Sequence, residues 1–183
     1  MDKLTGTELT NFIKIQLLKY FRFDKQFNLV FTEGINNSDV NALKDNCLIE
    51  VEVKQSKSDF LKEFDNKSKI KKIKHQRYIV GNNRKYKKYI IPNYFYFCIG
   101  CKTKDETYKL ANFVVEYLKE NEYNHYGVLI CGENRLFNKH SHIETFKRAT
   151  KIHSNKPNQE VFVKAYKRLS SELISLKEKL LTK

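Results

Sequence analysis

Apolar residues recur at three- and four-residue steps near the start of the chain, where Leu9, Phe12, Ile13, Leu17 and Tyr20 form one stripe. That period predicts a helix from about Thr7 to Phe21, and Thr5 with Glu8 three positions later supplies a capping box. From Phe27 to Thr32 the pattern shortens to a strand, and Gly34 to Ser38 is rich in turn residues. Two more strands follow closely, Asp39 to Leu43 and Cys47 to Lys54, with Asp45-Asn46 as a two-residue hairpin turn. Ser56 or Ser58 caps a helix that carries Phe60, Leu61 and Phe64 on one side. Asn93 to Ile99 reads as a buried strand, Thr107 to Lys119 as a helix on Leu110, Phe113, Val114 and Leu118, and Tyr126 to Cys131 as another strand. A long helix begins near Pro157, a good first-turn residue, and runs to Leu181. Alternation of this kind predicts an α/β sandwich with a mixed central sheet flanked by helices. Residues 1–135 are expected to form the core, with an insertion at about 67–91, and residues 136–183 a C-terminal extension ending in the long amphipathic helix.

The strand from Cys47 to Lys54 carries the candidate chemistry. A period of two sends Ile49, Val51 and Val53 to one face and Glu50, Glu52 and Lys54 to the other. A turn at Asp45-Asn46 pairs Lys44 with Cys47. Counting back gives Leu43 with Leu48, Ala42 with Ile49, Asn41 with Glu50, Val40 with Val51, and Asp39 with Glu52. Opposed residues share a face, so Asp39 and Asn41 join the carboxylates while Val40 and Ala42 join the apolar set. Two carboxylates facing each other repel. A hard divalent cation is the simplest compensation, and Mg²⁺ takes carboxylate oxygens, keeps several waters and completes its shell with phosphate oxygens. Lys54, on the same face, would stand beside it, placed to orient water or to stabilise charge at phosphorus. Glu50 shares that face and reaches either a second metal or a lysine partner.

The charge points to the same class of partner. Thirty-five Lys and Arg stand against 21 Asp and Glu, a formal net charge of +14. Such a field attracts polyanions. Between Asp65 and Asp105 there is no acidic residue, and Lys67, Lys69, Lys71, Lys72, Lys74, Arg77, Arg84, Lys85, Lys87 and Lys88 are interleaved with Tyr78, Tyr86 and Tyr89. Cations displace counterions from phosphates, and aromatic rings stack on exposed bases. The segment is expected to bind nucleic acid; a solvated charged face is the bland alternative.

Asp39 followed by Glu52-Val53-Lys54 on the next strand resembles the active-site motif of the PD-(D/E)XK nuclease superfamily. The element order is similar to that superfamily's restriction-endonuclease-like αβββαβ core, and Gln55-Ser56-Lys57-Ser58-Asp59-Phe60 with Asn93-Tyr94-Phe95-Tyr96-Phe97 resembles small MmcB-like or phage-type members. The resemblance spans about 130 residues, and Ser38 rather than proline precedes Asp39. It implies that Asp39, Glu52 and the main-chain carbonyl of Val53 hold Mg²⁺ (or Mn²⁺ in its place) and that Lys54 assists the nucleophile. Glu8 is a further metal ligand by the same resemblance; its alternative role is the capping box alone.

The expected activity is therefore metal-dependent endonucleolytic hydrolysis of DNA by a Mg²⁺-activated water. The alternatives are a nuclease acting on RNA and a non-catalytic nucleic-acid-binding protein on the same fold. The four cysteines, including Cys98-Ile99-Gly100-Cys101, read best as buried free thiols, with metal binding as the minor alternative. The chain opens without an apolar signal-like segment, and Tyr89 to Gly100 is too short to span a bilayer. A cytoplasmic location without membrane contact is expected. On the last helix Phe162, Tyr166, Leu169, Leu173, Leu176 and Leu180 alternate by four and three. That seam either packs on the protein's own body or forms a homodimer.

Overall fold

The computed structural model describes residues 4–64, 70, 90–132 and 140–181. Its elements, in order, are α1 (Gly6–Lys19) ending in a wider π turn (Tyr20–Asp24), β1 (Leu29–Thr32), β2 (Val40–Lys44), β3 (Cys47–Lys54) and α2 (Lys57–Lys62), then β4 (Tyr94–Ile99), α3 (Lys104–Glu120), β5 (Gly127–Cys131), β6 (Ile143–Lys147) and α4 (Gln159–Leu181). The six strands form one mixed sheet in chain order. β1, β2 and β3 are antiparallel neighbours, β3–β4 and β4–β5 are parallel, and β5–β6 is antiparallel. The α/β class, the mixed sheet and the C-terminal helix thus match the sequence reading. Among the described residues no helix is long and apolar enough to cross a membrane.

The β2–β3 hairpin has the expected register, from Lys44 opposite Cys47 to Val40 opposite Val51. Asp45 takes the positive φ of 44° that the tight turn requires and that Asp tolerates. Alternation then divides the sheet. Val40, Ala42, Ile49, Val51 and Val53 meet Leu9, Ile13 and Leu17 of α1 on one face. On the other face Phe95, Phe97, Ile99, Val128 and Ile130 meet Phe60 of α2 and Leu110, Ala111, Val114 and Leu118 of α3. Farther along that second face Phe31, Leu43 and Leu48 are covered by Val161 and Ala165 of α4.

β6 was not anticipated. It lies within the segment read as an extension and adds an edge strand beside β5. The return of the chain is fixed by Asn93, which is buried and fully used. Its Oδ1 accepts the Leu48 N–H at 2.8 Å, and its Nδ2 donates to the carbonyls of His153 (3.0 Å) and Asn155 (2.9 Å).

α4 packs on the body with a face rotated from the predicted seam. Val161 and Ala165 are buried, Phe162 and Leu169 partly so, and Arg168 donates to the Thr32 carbonyl at 2.9 Å. Tyr166, Leu173, Leu176 and Leu180 of the seam stay exposed. Truncation before Phe162 should therefore uncover Phe31, Leu43 and Leu48. Its expected signature is earlier melting with binding of a hydrophobic dye; an unchanged melting temperature would show that α4 contributes no cover.

Candidate active site

Between the two apolar clusters of the second face runs a polar stripe. Asn41, Glu50, Glu52 and Lys54 point there because β3 alternates and because β2 is in register with it. In the parallel pairing Glu50, Glu52 and Lys54 lie beside Phe95, Phe97 and Ile99. All four polar residues are buried, Glu52 to 6% and Lys54 to 5% exposure. Charged groups are almost never buried so deeply without partners.

Asp39 stands where regular β2–β3 pairing stops. Its Oδ2 accepts the Val53 N–H at 2.8 Å, which fixes the carboxylate against the Glu52-Val53 segment. Its Oδ1 lies 2.9 Å from the ammonium of Lys14, which also reaches Glu33 at 3.1 Å. Burial alone would depress the Lys14 pKa, but Asp39 and then Glu33 outweigh it and hold it above the ordinary lysine value. Lys54 behaves alike. Desolvation pulls its pKa down, while Glu63, Glu52 and Asp59 more than offset that and raise it. Its Nζ is 2.7 Å from Glu63 and 4.0 Å from Asp59, both supplied by α2 and the turn after it. Lys54 is therefore an ammonium at neutral pH, suited to stabilise or orient an anion and not to accept a proton.

Glu50 is held by the loop that precedes β2. Its carboxylate accepts from the Ser38 hydroxyl and from Asn36 Nδ2, the latter at 3.1 Å. Asn36 also bonds the Ile90 carbonyl at 2.6 Å, and the Ser38 hydroxyl shares its one proton between Glu50 and the Ile35 carbonyl, 2.9 Å away. Asn36 and Asn37 have positive φ of 56° and 55°, a conformation that Asn adopts more readily than most residues. Glu50 thus braces the loop that delivers Asp39. It also gives Ser38 a use that a proline in its place would lack.

Glu8 is exposed and closes the α1 capping box, accepting the Thr5 N–H at 2.8 Å. That bond commits its Oε2 to the cap. At Val53 the interaction in place is its N–H on Asp39; the carbonyl role remains the one implied by resemblance. The basic residues Lys67, Lys69, Lys71, Lys72, Lys74, Arg77, Arg84, Lys85, Lys87 and Lys88 lie outside the described residues.

The cysteines are free. Cys98 packs on the α1 side and Cys101 on the α3 side, so the two thiols of the C-x-x-C sequence face different cores. Burial pushes the Cys131 pKa up to about 12. Among the described residues no group of three or more His, Cys, Asp or Glu side chains is placed to hold a metal ion. Mg²⁺ needs fewer, since one or two carboxylates, waters and a substrate phosphate satisfy it. The chemistry of the donor set fits: Asp39 Oδ1 already holds a cation, the Lys14 ammonium, beside the Glu52-Val53 segment.

Sequence reasoning missed Lys14, Glu63 and Asp59. Lys14 adjoins Ile13 and lies three residues before Leu17, at the margin of the buried stripe, and that position is the only local signal of it. If its ammonium competes with a metal, Lys14→Met should tighten Mn²⁺ binding by about fivefold, the equivalent of roughly 1 kcal/mol for a partly exposed ion pair. Calorimetric titration without nucleic acid measures this. Weaker binding would mean that Lys14 supports the metal-binding geometry.

Comparisons with family models, with curated proteins and with solved structures find no match for this chain.

Proposed function

We propose that this protein is a Mg²⁺-dependent endonuclease of the PD-(D/E)XK kind that hydrolyses phosphodiester bonds of DNA. The observation that carries the reading is the buried stripe itself. Glu52 and Lys54 are held side by side on β3, with Asp39 docked onto the adjoining Val53 N–H. The order α1, β1, β2, β3, α2, β4 agrees with the αβββαβ core of that superfamily.

Asp39 and Glu52, with the Val53 carbonyl, would hold the metal. When bound, Mg²⁺ supplies charge neutralisation at the phosphate and a more acidic water. Lys54 keeps its proton and presents an ammonium to the nucleophile or to the charge growing on phosphorus. Glu63 and Asp59 position that ammonium, and Glu50 positions the Asp39 loop through Ser38. Phe97 and Ile99 beside Glu52 and Lys54 keep bulk water away from the stripe, which strengthens each of these charge interactions.

A plasmid-nicking assay with and without chelator tests the proposal, with single-stranded DNA and RNA as parallel substrates. Metal-dependent conversion of supercoiled to open-circular DNA supports it, and selective cleavage of RNA moves the substrate class. The second reading, a non-catalytic nucleic-acid-binding protein, is favoured by the Lys14–Asp39 and Lys54–Glu63 pairs, which neutralise the charges internally. Inertness with Mg²⁺ and Mn²⁺ on every substrate, together with retained binding, selects it.

A further inference from the structure

Where the chain leaves β3, directly after Lys54, a cavity of about 540 Å³ opens between α1, the start of α2 and the first half of α3. That volume is within the range of small-molecule sites, roughly 300–1,000 Å³. Leu9, Leu110 and Phe113 give it an apolar wall, and Lys57, Lys102 and Lys109 stand at its rim. All three lysines are exposed. One acidic residue lines it, Glu106, and that carboxylate closes the α3 cap by accepting the Thr103 N–H at 3.3 Å. The cavity therefore combines an apolar surface with a net positive mouth.

Its back wall is well made. Gln55 donates to the Gly6 carbonyl at 3.0 Å and to Thr10 Oγ1 at 2.6 Å, joining the end of β3 to α1. The Cys101 thiol donates to the Gln55 carbonyl at 3.3 Å, joining it to the chain after β4. The Lys57 ammonium rests over the Phe113 ring, 4.2 Å from its centroid. A cation on a ring face occupies the place that a planar base would take, and the freed ammonium would remain within reach of that base's phosphate.

We propose that this cavity binds one nucleotide of a single-stranded nucleic acid, with the base against Phe113, Leu110 and Leu9 and the adjoining phosphates on Lys57, Lys102 and Lys109. The ligand class follows from the combination: an inorganic anion has no use for the apolar wall, and a neutral apolar molecule has none for the three ammoniums. The position deepens the nuclease reading and rests on it in one respect. Gln55, which lines the cavity, directly follows Lys54 in the chain, so on the nuclease reading a strand with a phosphate at Glu52 and Lys54 would continue toward this cavity.

Binding is tested in chelator, so that no cleavage is involved. Pentathymidylate, thymidine 5′-monophosphate and inorganic phosphate are titrated into the full ¹⁵N-labelled chain. Shift changes should cluster at residues 55–57, 101–102 and 109–113, with the pentamer tighter than the mononucleotide and the mononucleotide tighter than phosphate. The Lys102→Ala, Lys109→Ala double variant should weaken the pentamer at least tenfold with its melting temperature unchanged, and Phe113→Leu should weaken the mononucleotide while leaving phosphate affinity as it was. Shift changes confined to other surfaces, phosphate binding as tightly as the mononucleotide, or a double variant with wild-type affinity would each overturn the inference. A failure here with metal-dependent nicking intact removes the cavity alone. Success here with no cleavage of any DNA or RNA substrate removes the nuclease reading and leaves a nucleotide-binding cavity.

Discussion

Asp39→Asn and Glu52→Gln should each lower cleavage by about 10²–10³-fold or more, the scale on which loss of one preorganised charge-stabilising group is felt. The two substitutions keep shape. Asparagine retains an oxygen to accept the Val53 N–H, so the end of the hairpin stays closed. In Glu52→Gln, Lys54 keeps Glu63 at 2.7 Å and does not become an unpaired buried cation. What is lost in both is the negative charge that would hold the metal. Affinity for DNA in chelator should stay equal or rise, because a carboxylate facing a phosphate is removed. Lys54→Ala should also abolish cleavage although both carboxylates remain. Ca²⁺, larger and content with looser geometry than Mg²⁺, should support binding with little turnover. Nicking and band-shift on the same DNA measure all of this, and cleavage that persists in both carboxylate variants would falsify the site assignment.

Phe60→Ala should cost about 3–5 kcal/mol, as for other large buried aromatics. Phe60 is fully buried, and its ring meets Phe64 and Phe97 at 5.0 Å, Tyr117 at 5.4 Å and Phe113 at 6.1 Å. For a chain of this size that loss lowers the melting temperature by roughly 6–20 °C. The effect reaches the site as well, since Phe60 is the buried residue of the six-residue α2. Loosening α2 frees Glu63 and Asp59 from Lys54, so cleavage at a temperature where the variant is still folded should fall too. Scanning calorimetry and nicking on one preparation separate the two effects. A melting shift under about 2 °C would mean that the cluster closes over the gap.

The hairpin that bears Asp39, Glu52 and Lys54 was readable from sequence because every constraint on it is local. A two-residue turn sets the register, and alternation sets the face. The rest of the site depends on contacts between distant segments. Lys14 reaches Asp39 only once α1 lies across the sheet, and no turn or period encodes that crossing. Glu63 reads as one more charge in a charged stretch until α2 folds back toward β3. β6 was missed because Ile143 is its one buried residue and the remainder of the strand is half-buried or exposed. The seam of α4 was found with the right period on the wrong face: Val161 and Ala165, which are buried, have the same spacing as the larger Phe162 and Tyr166. Burial there follows the shape of β1's neighbourhood and not side-chain size.

The sheet lists its strands in the order in which they are made. Each strand joins a partner already present, so the carboxylate-bearing hairpin can form on the ribosome before β4 exists, from contacts close in sequence. The exception is α4. Its Glu172 accepts from the Thr32 hydroxyl at 2.6 Å across 140 residues, and loop closure over such a span comes late. Until residues 159–181 emerge, Phe31, Leu43 and Leu48 lack the cover of Val161 and Ala165. The nascent chain thus carries a finished carboxylate-bearing hairpin and an unfinished apolar flank, which makes the interval before α4 docks its period of greatest exposure to aggregation.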